Sequence, residues 1–570
     1  MAVWHIKSAD PDLVSRLKDQ VQLPEILTRI LVNRGIQSVH DLAELFAPEL
    51  TKLNDPFQML NMDRASEQVA RTVREGKRIL VFGDYDVDGI TAASMLYLFL
   101  SALGVDVSVY IPDREKEGYG LSRRGIDFAV EKGVHLVITC DCGINAHEAV
   151  SYANGKGIPV IITDHHTPDV TLPDALAVLN PKQTGCEYPF KHLCGGGVAF
   201  KLVSAVAQRL DIPFENVSQH LDLVALGTAA DLVPLVDENR VLVYHGLKQL
   251  ERSDKPGIQA LLRKAGVSGA ELTVGKLIYW VAPRINAAGR MGDAIRAVTL
   301  LTTTDRDQAQ TLALQLHNEN RSRQVIQQNI VQEVEEKIKR EVDLDRDRAM
   351  VLWKEGWHPG VIGIVASKVK EAYHRPVVVV SVEGETGKGS ARSIRPFDLY
   401  EHLSRCARHL TDYGGHPMAA GLTIDSRNLE AFRDEFVALA NDSLSRDDMV
   451  NALDIEGEMD LNVIDDEFVD FLKKLAPYGP GNSRPRFVTR KTGVLGTPRL
   501  VGNGDHLKFT ARKNGSSFDA IGFNMARHYE HLITGEPVDI AYEVEENRWK
   551  GQVSIQLNIK DVKPAGGERS

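Results

Sequence analysis

The chain is short of cysteine, of long apolar runs and of positive charge, and each shortage removes a class of protein. Its five cysteines, Cys140, Cys142, Cys186, Cys194 and Cys406, form an odd, sparse set without paired zinc spacing. They read as reduced, mostly buried thiols. The longest apolar stretch, MLYLFL at 95–100, is far too short to span a bilayer, and the opening MAVWHIKSADPD lacks the apolar segment of a signal peptide. A cytoplasmic protein with no membrane partner is expected. The formal net charge of −11 argues against a generally basic nucleic-acid binder, so any nucleic acid must be gripped by local clusters. No internal repeat or low-complexity tract stands out.

What is present is length, with a pattern that changes along it. A chain of 570 residues exceeds one ordinary core, and about two to four domains are expected. Residues 1–45 read as a small helical unit, with Leu23, Ile26, Leu27, Ile30 and Leu31 at helical spacing. Over 46–303, the short apolar runs RILVF (78–82), VSVYIP (107–112), HLVIT (135–139) and PVIIT (159–163) are separated by helical segments, the signature of a parallel sheet with crossover helices. Residues 304–345 read as one long connector helix, and 346–445 as a smaller α/β domain around the Gly-rich GWHPGVIGIVASKV. Alternating strands such as HLKFTAR and GQVSIQLNIKDV make 452–565 a small β-barrel, and the final AGGERS a disordered tail. The fold class is multidomain α/β.

Three of the apolar runs end in residues able to hold metals or move protons. RILVFGDYDVDG supplies Asp84, Asp86 and Asp88; HLVITCDCG supplies Asp141; PVIITDHH supplies Asp164, His165 and His166. In an open parallel sheet the carboxyl ends of adjacent strands face one crevice, so residues about 80 positions apart can converge there. Asp231, in ALGTAADLVPL, follows a helical stretch closely enough to join them. A single Asp after a strand is more often a cap or turn residue, but the joint occurrence reverses those odds. Carboxylates crowded into one cleft repel unless a cation neutralises them. Oxygen ligands with one or two imidazoles suit Mn²⁺ or Mg²⁺, and two such ions about 3.5–4 Å apart would make a two-metal phosphodiester hydrolase. Adjacent His165 and His166 point to opposite sides if the backbone is extended, so one can bind metal while the other meets the phosphate.

GDYDVDG, CDCG, TDHH and GTAAD resemble, in order, the four motifs of the DHH phosphoesterases. IPDREKEGYGLS, PRINAAGRMGDA, GWHPGVIGIVASK, GKGSARSI, YGGHPMAAGL and LAPYGPGNSRPRF resemble the bacterial RecJ exonucleases among them. The resemblance runs over about residues 45–565 and implies a DHH domain, a DHHA1-like domain and an OB-like barrel in that order. It further implies a 5′-to-3′ exonuclease specific for single-stranded DNA, using divalent metal in recombination and repair. Carried over by motif, Asp84, Asp86, Asp88, Asp141, His165 and Asp231 would form the metal site, with His166 touching the scissile phosphate and Asp164 orienting an imidazole. Some relatives have a His near the start of the first motif where this chain has Phe82, and Asp84 is the candidate to substitute.

The strand itself needs a grip. Ser390 and Arg392, beside Gly387 and Gly389, and the pair Gly415 and His416 sit in Gly-rich turns whose backbone N–H groups can approach a phosphate. Arg114, Arg284 and Arg290 are candidate forks for a terminal 5′ phosphate or the backbone. Asn318, Arg321 and Arg323 on the connector helix could line a channel. In the barrel, Arg484, Arg486, Lys508, Arg512, Trp549 and Lys550 interleave with Phe487 and Phe509 as a basic groove with stacking aromatics. The expected partners are single-stranded DNA with a 5′ end, a helicase and a single-strand-binding protein. Two rivals remain at this level: a hydrolase of short oligonucleotides or cyclic dinucleotides, and a replication scaffold with a decayed site.

Overall fold

In the computed structural model, which describes residues 2–114, 116–269, 271–549 and 552–566, the apolar runs read from the sequence form one parallel sheet. Its strands lie in the order Val107–Tyr110, Ile79–Gly83, Leu136–Cys140, Val160–Thr163 and Ala177–Leu179. All neighbours are parallel. The order reverses at Ile79–Gly83, the first strand of this sheet along the chain, so a crevice opens at the carboxyl ends of Ile79–Gly83 and Leu136–Cys140. Alternate side chains feed two cores. Ile79, Val81, Leu136, Ile138 and Ile161 pack with the helices Met62–Arg74, Val87–Ala102 and Gly195–Arg209 on one face. Leu80, Phe82, Val137, Val160 and Ile162 pack with Arg123–Glu131 and His147–Gly155 on the other.

This sheet belongs to a unit formed by Glu44–Ser322 and Leu475–Ser483. The helices Leu221–Ala230, Asp237–Arg252, Pro256–Ala265 and Ala282–Met291 complete it. The Pro/Gly-rich turn returns here because Arg240 donates to the Leu475 carbonyl (2.8 Å) and the Leu235 N–H to that of Pro480 (2.7 Å). A fully buried ion pair, Lys201 with Glu238, ties helix to helix, and the Tyr188 hydroxyl donates to the same carboxylate.

The second unit contains Met1–Ala43, Arg323–Lys474 and Arg484–Ser570. One sheet has the order Leu410–His416, Ala419–Asp425, Thr386–Arg392, Val377–Glu383, Met350–Glu355, with only the last pair parallel. The other is a barrel ordered Gly457–Glu458, Arg486–Val501, His506–Lys513, Ser516–Gly522, Gln552–Pro564, Val538–Trp549. Pairing of Arg486–Thr492 with Val538–Glu543 closes it. The N-terminal segment is not wholly helical: Val3–Ile6 is a strand, parallel to Ala452–Ile455. A four-residue strand whose partner lies in the last quarter of the chain leaves no local pattern to read. The long helix, Arg306–Glu341, starts in the first unit and ends in the second. Among the described residues no helix is long and apolar enough to cross a membrane.

Candidate metal centre

The first acidic run sits where a buried strand turns into a buried helix. Asp86 is the N-cap of Val87–Ala102, its carboxylate accepting from the Asp88 N–H (2.9 Å) and the Gly89 N–H (3.1 Å). Capping and chemistry coexist here, because Asp86 still offers an oxygen within 4.8 Å of ligand atoms of Asp84 and Asp141. Gly89 makes the bend feasible: a Cβ there would lie 2.6 Å from the Asp84 backbone nitrogen. Asp141 follows its strand with φ 61°, in the left-handed region. Asp231 is the C-cap of Leu221–Ala230. A second set, Asp88, His165 and Asp231, also has ligand atoms within 4.8 Å of one another, as does Asp141 with His165 and His166. Asp141 and His165 are each shared between two of these sets.

The two histidines do not point to opposite sides. The strand ends at Thr163, and the Asp164 carboxylate then accepts from the N–H of both His165 (2.7 Å) and His166 (3.0 Å), folding the backbone out of the extended form. Their ring centroids lie 4.5 Å apart. His165 Nε2 is 3.2 Å from Asp141 and 3.4 Å from Asp231; His166 Nδ1 is 2.8 Å from Asp164 and 3.9 Å from Asp141. Their electrostatics diverge accordingly. Burial, reinforced by the neighbouring His166, lowers His165 to about 3. Burial also opposes protonation of His166, but the hydrogen bond and charge of Asp164 outweigh it and raise His166 to about 9. Asp164 itself stays low despite burial, held down by His166 and by backbone N–H donors.

The remaining carboxylates are pushed up. Burial and then Asp86 raise Asp88 to about 6; burial, Asp88 and Asp86 raise Asp231 to about 8; Asp84 and Asp141 rise well above the usual range for the same reasons. Asp84 Oδ1, Asp141 Oδ1, Asp231 Oδ2 and both ring nitrogens of His165 are buried without a hydrogen-bond partner. Buried polar atoms left unsatisfied in this number, all carboxylate oxygens or imidazole nitrogens, fit a divalent cation.

Phe82 takes no part: it is fully buried, stacked on Tyr110 at 5.3 Å, in the core on the sheet face opposite Val81. Arg114 is exposed with its guanidinium 5.1 Å from the Tyr85 ring centre, and its charge and that of Arg290 reach Tyr85. Both are therefore at the rim of the cluster. Arg284 is not: it is buried and donates to the carbonyls of Trp280 and, at 3.0 Å, Lys264, tying two helical segments. In the other unit, Arg392 and His416 flank Ala419 in one cross-strand row, and Gly415 opposes Ala420. Arg392 donates to Ser390 Oγ (3.1 Å) and to Ser367 Oγ (3.2 Å) on the helix Pro359–Tyr373. On the long helix Asn318 and Arg321 are exposed, whereas Arg323 is buried and donates to Gln327.

The barrel corrects one expectation. Phe487 and Phe509 are both core residues, so neither is a stacking platform. Several of its basic residues are paired, Arg486 with Glu543, Arg484 with Glu545 and Lys508 with Asp519. Lys550, the Trp549 side chain and residues 567–570 of the tail lie outside the described residues.

Three contributions escaped the sequence. The Tyr119 hydroxyl donates to the Asp141 carbonyl (2.9 Å) and stands 3.2 Å from His166 Nδ1. Burial lowers Lys182, and Asp231 and Asp164 lie close enough to oppose that shift. Asp88 is gripped by the N–H groups of Gly195 (2.6 Å) and Gly196 (3.0 Å) at the start of Gly195–Arg209, a helix N-terminus holding an anion. A GGG run opening a buried helix was the available signal.

The family described as DHH family, N-terminal domain, matches residues 78–228; the DHHA1 domain matches 346–442 and the RecJ OB domain 455–561. The chain is 36% identical over 561 residues to the single-stranded-DNA-specific exonuclease RecJ of Bacillus subtilis, covering 98% of this chain and 70% of that protein. Its fold is similar to the crystal structure of RecJ from Thermus thermophilus in complex with Mn²⁺, at TM-score 0.84 and 30% identity, over 99% of this chain and 80% of that one. The corresponding Mg²⁺ complex gives 0.78 at 30% identity, over 99% and 79%.

Proposed function

The chain belongs to the RecJ family of single-stranded-DNA-specific exonucleases, and on that premise we propose that it hydrolyses single-stranded DNA from the 5′ end to 5′-mononucleotides. The observation that carries the reading is the overlapping sets of ligand groups on Asp84, Asp86, Asp88, Asp141, His165 and Asp231, in which buried atoms of Asp84, Asp141, His165 and Asp231 have no hydrogen-bond partner. These residues would hold two divalent ions, Mn²⁺ or Mg²⁺. When bound, such ions neutralise the carboxylates and supply Lewis acidity toward water and phosphate.

The chain's own residues do the rest. His166, kept protonated by Asp164, presents Nδ1–H to that carboxylate and leaves Nε2–H to donate to a non-bridging oxygen of the scissile phosphate. Tyr119 braces the same ring. Arg114 and Arg290 hold the terminal 5′ phosphate, and Ser390, Arg392, Gly415 and His416 of the other unit are a separate set of phosphate-binding groups. Water adds to phosphorus, the bond to the 3′ oxygen of the terminal nucleotide breaks, and that oxygen takes up a proton. One mononucleotide leaves and the shortened strand keeps a 5′ phosphate. Such an enzyme serves recombination and repair, with a helicase and a single-strand-binding protein supplying its strands.

The test is degradation of 5′-labelled and 3′-labelled single strands, with and without Mn²⁺, beside a blunt duplex. Early release of the 5′ label as mononucleotide, a shortening ladder from the 3′-labelled strand, and an intact duplex are expected. Decay that begins at the 3′ label, or that is confined to very short oligonucleotides, overturns the reading.

A further inference from the structure

The catalytic unit exposes two large aromatic side chains that the metal centre does not use. Tyr279 and Trp280 are 77% and 55% exposed, on a π-helical turn, Leu277–Val281, whose flanking Leu277 and Val281 are buried. A π-turn inside helical structure is costly and is found mostly at functional sites. Between Val236 and Leu314, themselves 37% and 44% exposed, Tyr279 and Trp280 are the only exposed large apolar side chains among the described residues, so the patch is chiefly aromatic, with Leu314 on the helix that carries Arg321.

Its surroundings are basic. Residues 246–292 carry eight lysines and arginines against three acidic residues, in a chain of net charge −11. Arg284 binds the carbonyls of both Trp280 and Lys264, which fixes the aromatic turn beside the end of Pro256–Ala265. Lys264 and Arg321 are exposed, and with Arg284 they lie near enough to His317 to add to its burial in opposing protonation.

We propose that Tyr279 and Trp280, flanked by Lys264 and Arg321, form a stacking platform for the bases of single-stranded nucleic acid, distinct from the metal centre. Every base has a π-face, so two neighbouring rings hold a strand without regard to sequence, while the lysine and arginine meet its phosphates. The two rings dominate the exposed apolar surface, and the positive charge matches a polyanion. The proposal rests on the exonuclease reading only for the identity of the strand as substrate.

Binding and cleavage of fluorescein-labelled thymidine oligonucleotides, of about 30 and about four residues, are measured separately. Tyr279→Ala with Trp280→Ala should weaken binding of the long strand at least about tenfold and leave turnover of the short one unchanged, with Trp280→Phe retaining most of the affinity. Lys264→Gln with Arg321→Gln should flatten the dependence of log affinity on log salt by about 1.4. Long-strand binding unchanged in the aromatic variant overturns the platform, and is also what a protein-docking surface would give. A wild-type chain that binds long strands through these rings yet cleaves none would leave the platform standing and remove the exonuclease assignment instead.

Discussion

At the level of single residues, the TDHH run resolves into three side chains with separate tasks. Asp164 accepts from two backbone N–H groups and from the His166 ring, so it shapes the turn and sets the charge of His166 together. Asp164→Asn should reduce turnover about 10- to 100-fold with little change in KM, as loss of an orienting partner does. His166→Ala should lose cleavage while Mn²⁺ still raises the melting temperature; normal turnover in that variant would refute its phosphate contact. The convergence of these acidic and histidine residues was legible because each follows an apolar run. Tyr119 was not, although it lies within IPDREKEGYGLS, since it reaches His166 from a loop whose spacing does not say which side chain turns inward. A different prediction concerns His220, buried with neither ring nitrogen bonded and lowered to about 3 by burial and then by Lys255. Below its ordinary value of 6.5 the unfolded chain takes up a proton that the folded chain refuses, so stability is lost as pH falls from 6.5 toward 3. His220→Gln should recover about 2 kcal/mol of that loss at about pH 5 and nothing at neutral pH, measured by denaturant unfolding. An equal effect at both pH values would assign the change to packing instead.

At the level of elements, the site depends on two helix ends meeting three strand ends. Gly195 and Gly227 are the contact points: a Cβ at Gly195 would lie 2.5 Å from the Asp141 Cβ, and one at Gly227 2.5 Å from Asp88 Oδ1. Neither obstacle is a flexible chain end, because Asp88 is pinned by the Gly195 and Gly196 N–H groups. Gly227→Ala should therefore cost about 2 kcal/mol or more and weaken Mn²⁺ binding, read by titration calorimetry, although Ala is the better helix former. Unimpaired metal binding would show that the cluster can shift to make room. Four strands of the parallel sheet, three of them fully buried, and the long helix were readable from apolar runs and helical spacing. The fifth strand, Ala177–Leu179, and the N-terminal Val3–Ile6 were missed: the first has three residues, and the second pairs with Ala452–Ile455, far along the chain, with only half of its residues partly buried. The barrel illustrates the converse error. Phe487 and Phe509 alternate with basic residues as a binding face would, yet alternation in a closed barrel places one set inside, and here that set is the aromatics.

At the level of the whole molecule, the sequence order of domains was readable because each segment has its own period, whereas the contact units cut across that order. The strand Val3–Ile6 joins the second unit and the turn Leu475–Ser483 the first, by long-range pairing that a linear reading does not contain. The first unit also carries a stability cost that its function imposes. Asp84, Asp88, Asp141 and Asp231 all have folded-state proton affinities raised above the ordinary carboxylate value of 3.8, chiefly by burial and then by one another. The unfolded chain ionises them freely while the folded chain resists, so the metal-free protein loses stability from this cluster as pH rises above 3.8, with the Asp231 contribution growing until about 8. Asp141→Asn removes one of these charges, and Asn tolerates the left-handed backbone that this position requires at φ 61°. The variant should accordingly melt higher than the wild type without metal, by a margin larger at about pH 8 than at about pH 5.5. Saturating Mn²⁺ should reverse the order. At about 100 times its dissociation constant an ion that binds only the folded state adds about 2.7 kcal/mol, and the variant, lacking the carboxylate that two ligand sets share, forfeits most of it. Calorimetric scans of both proteins with and without Mn²⁺ at the two pH values decide the matter. A metal-free variant less stable than the wild type would mean that Asp141 is held by contacts other than a cation, and an equal Mn²⁺ shift in both proteins would take Asp141 out of the metal centre.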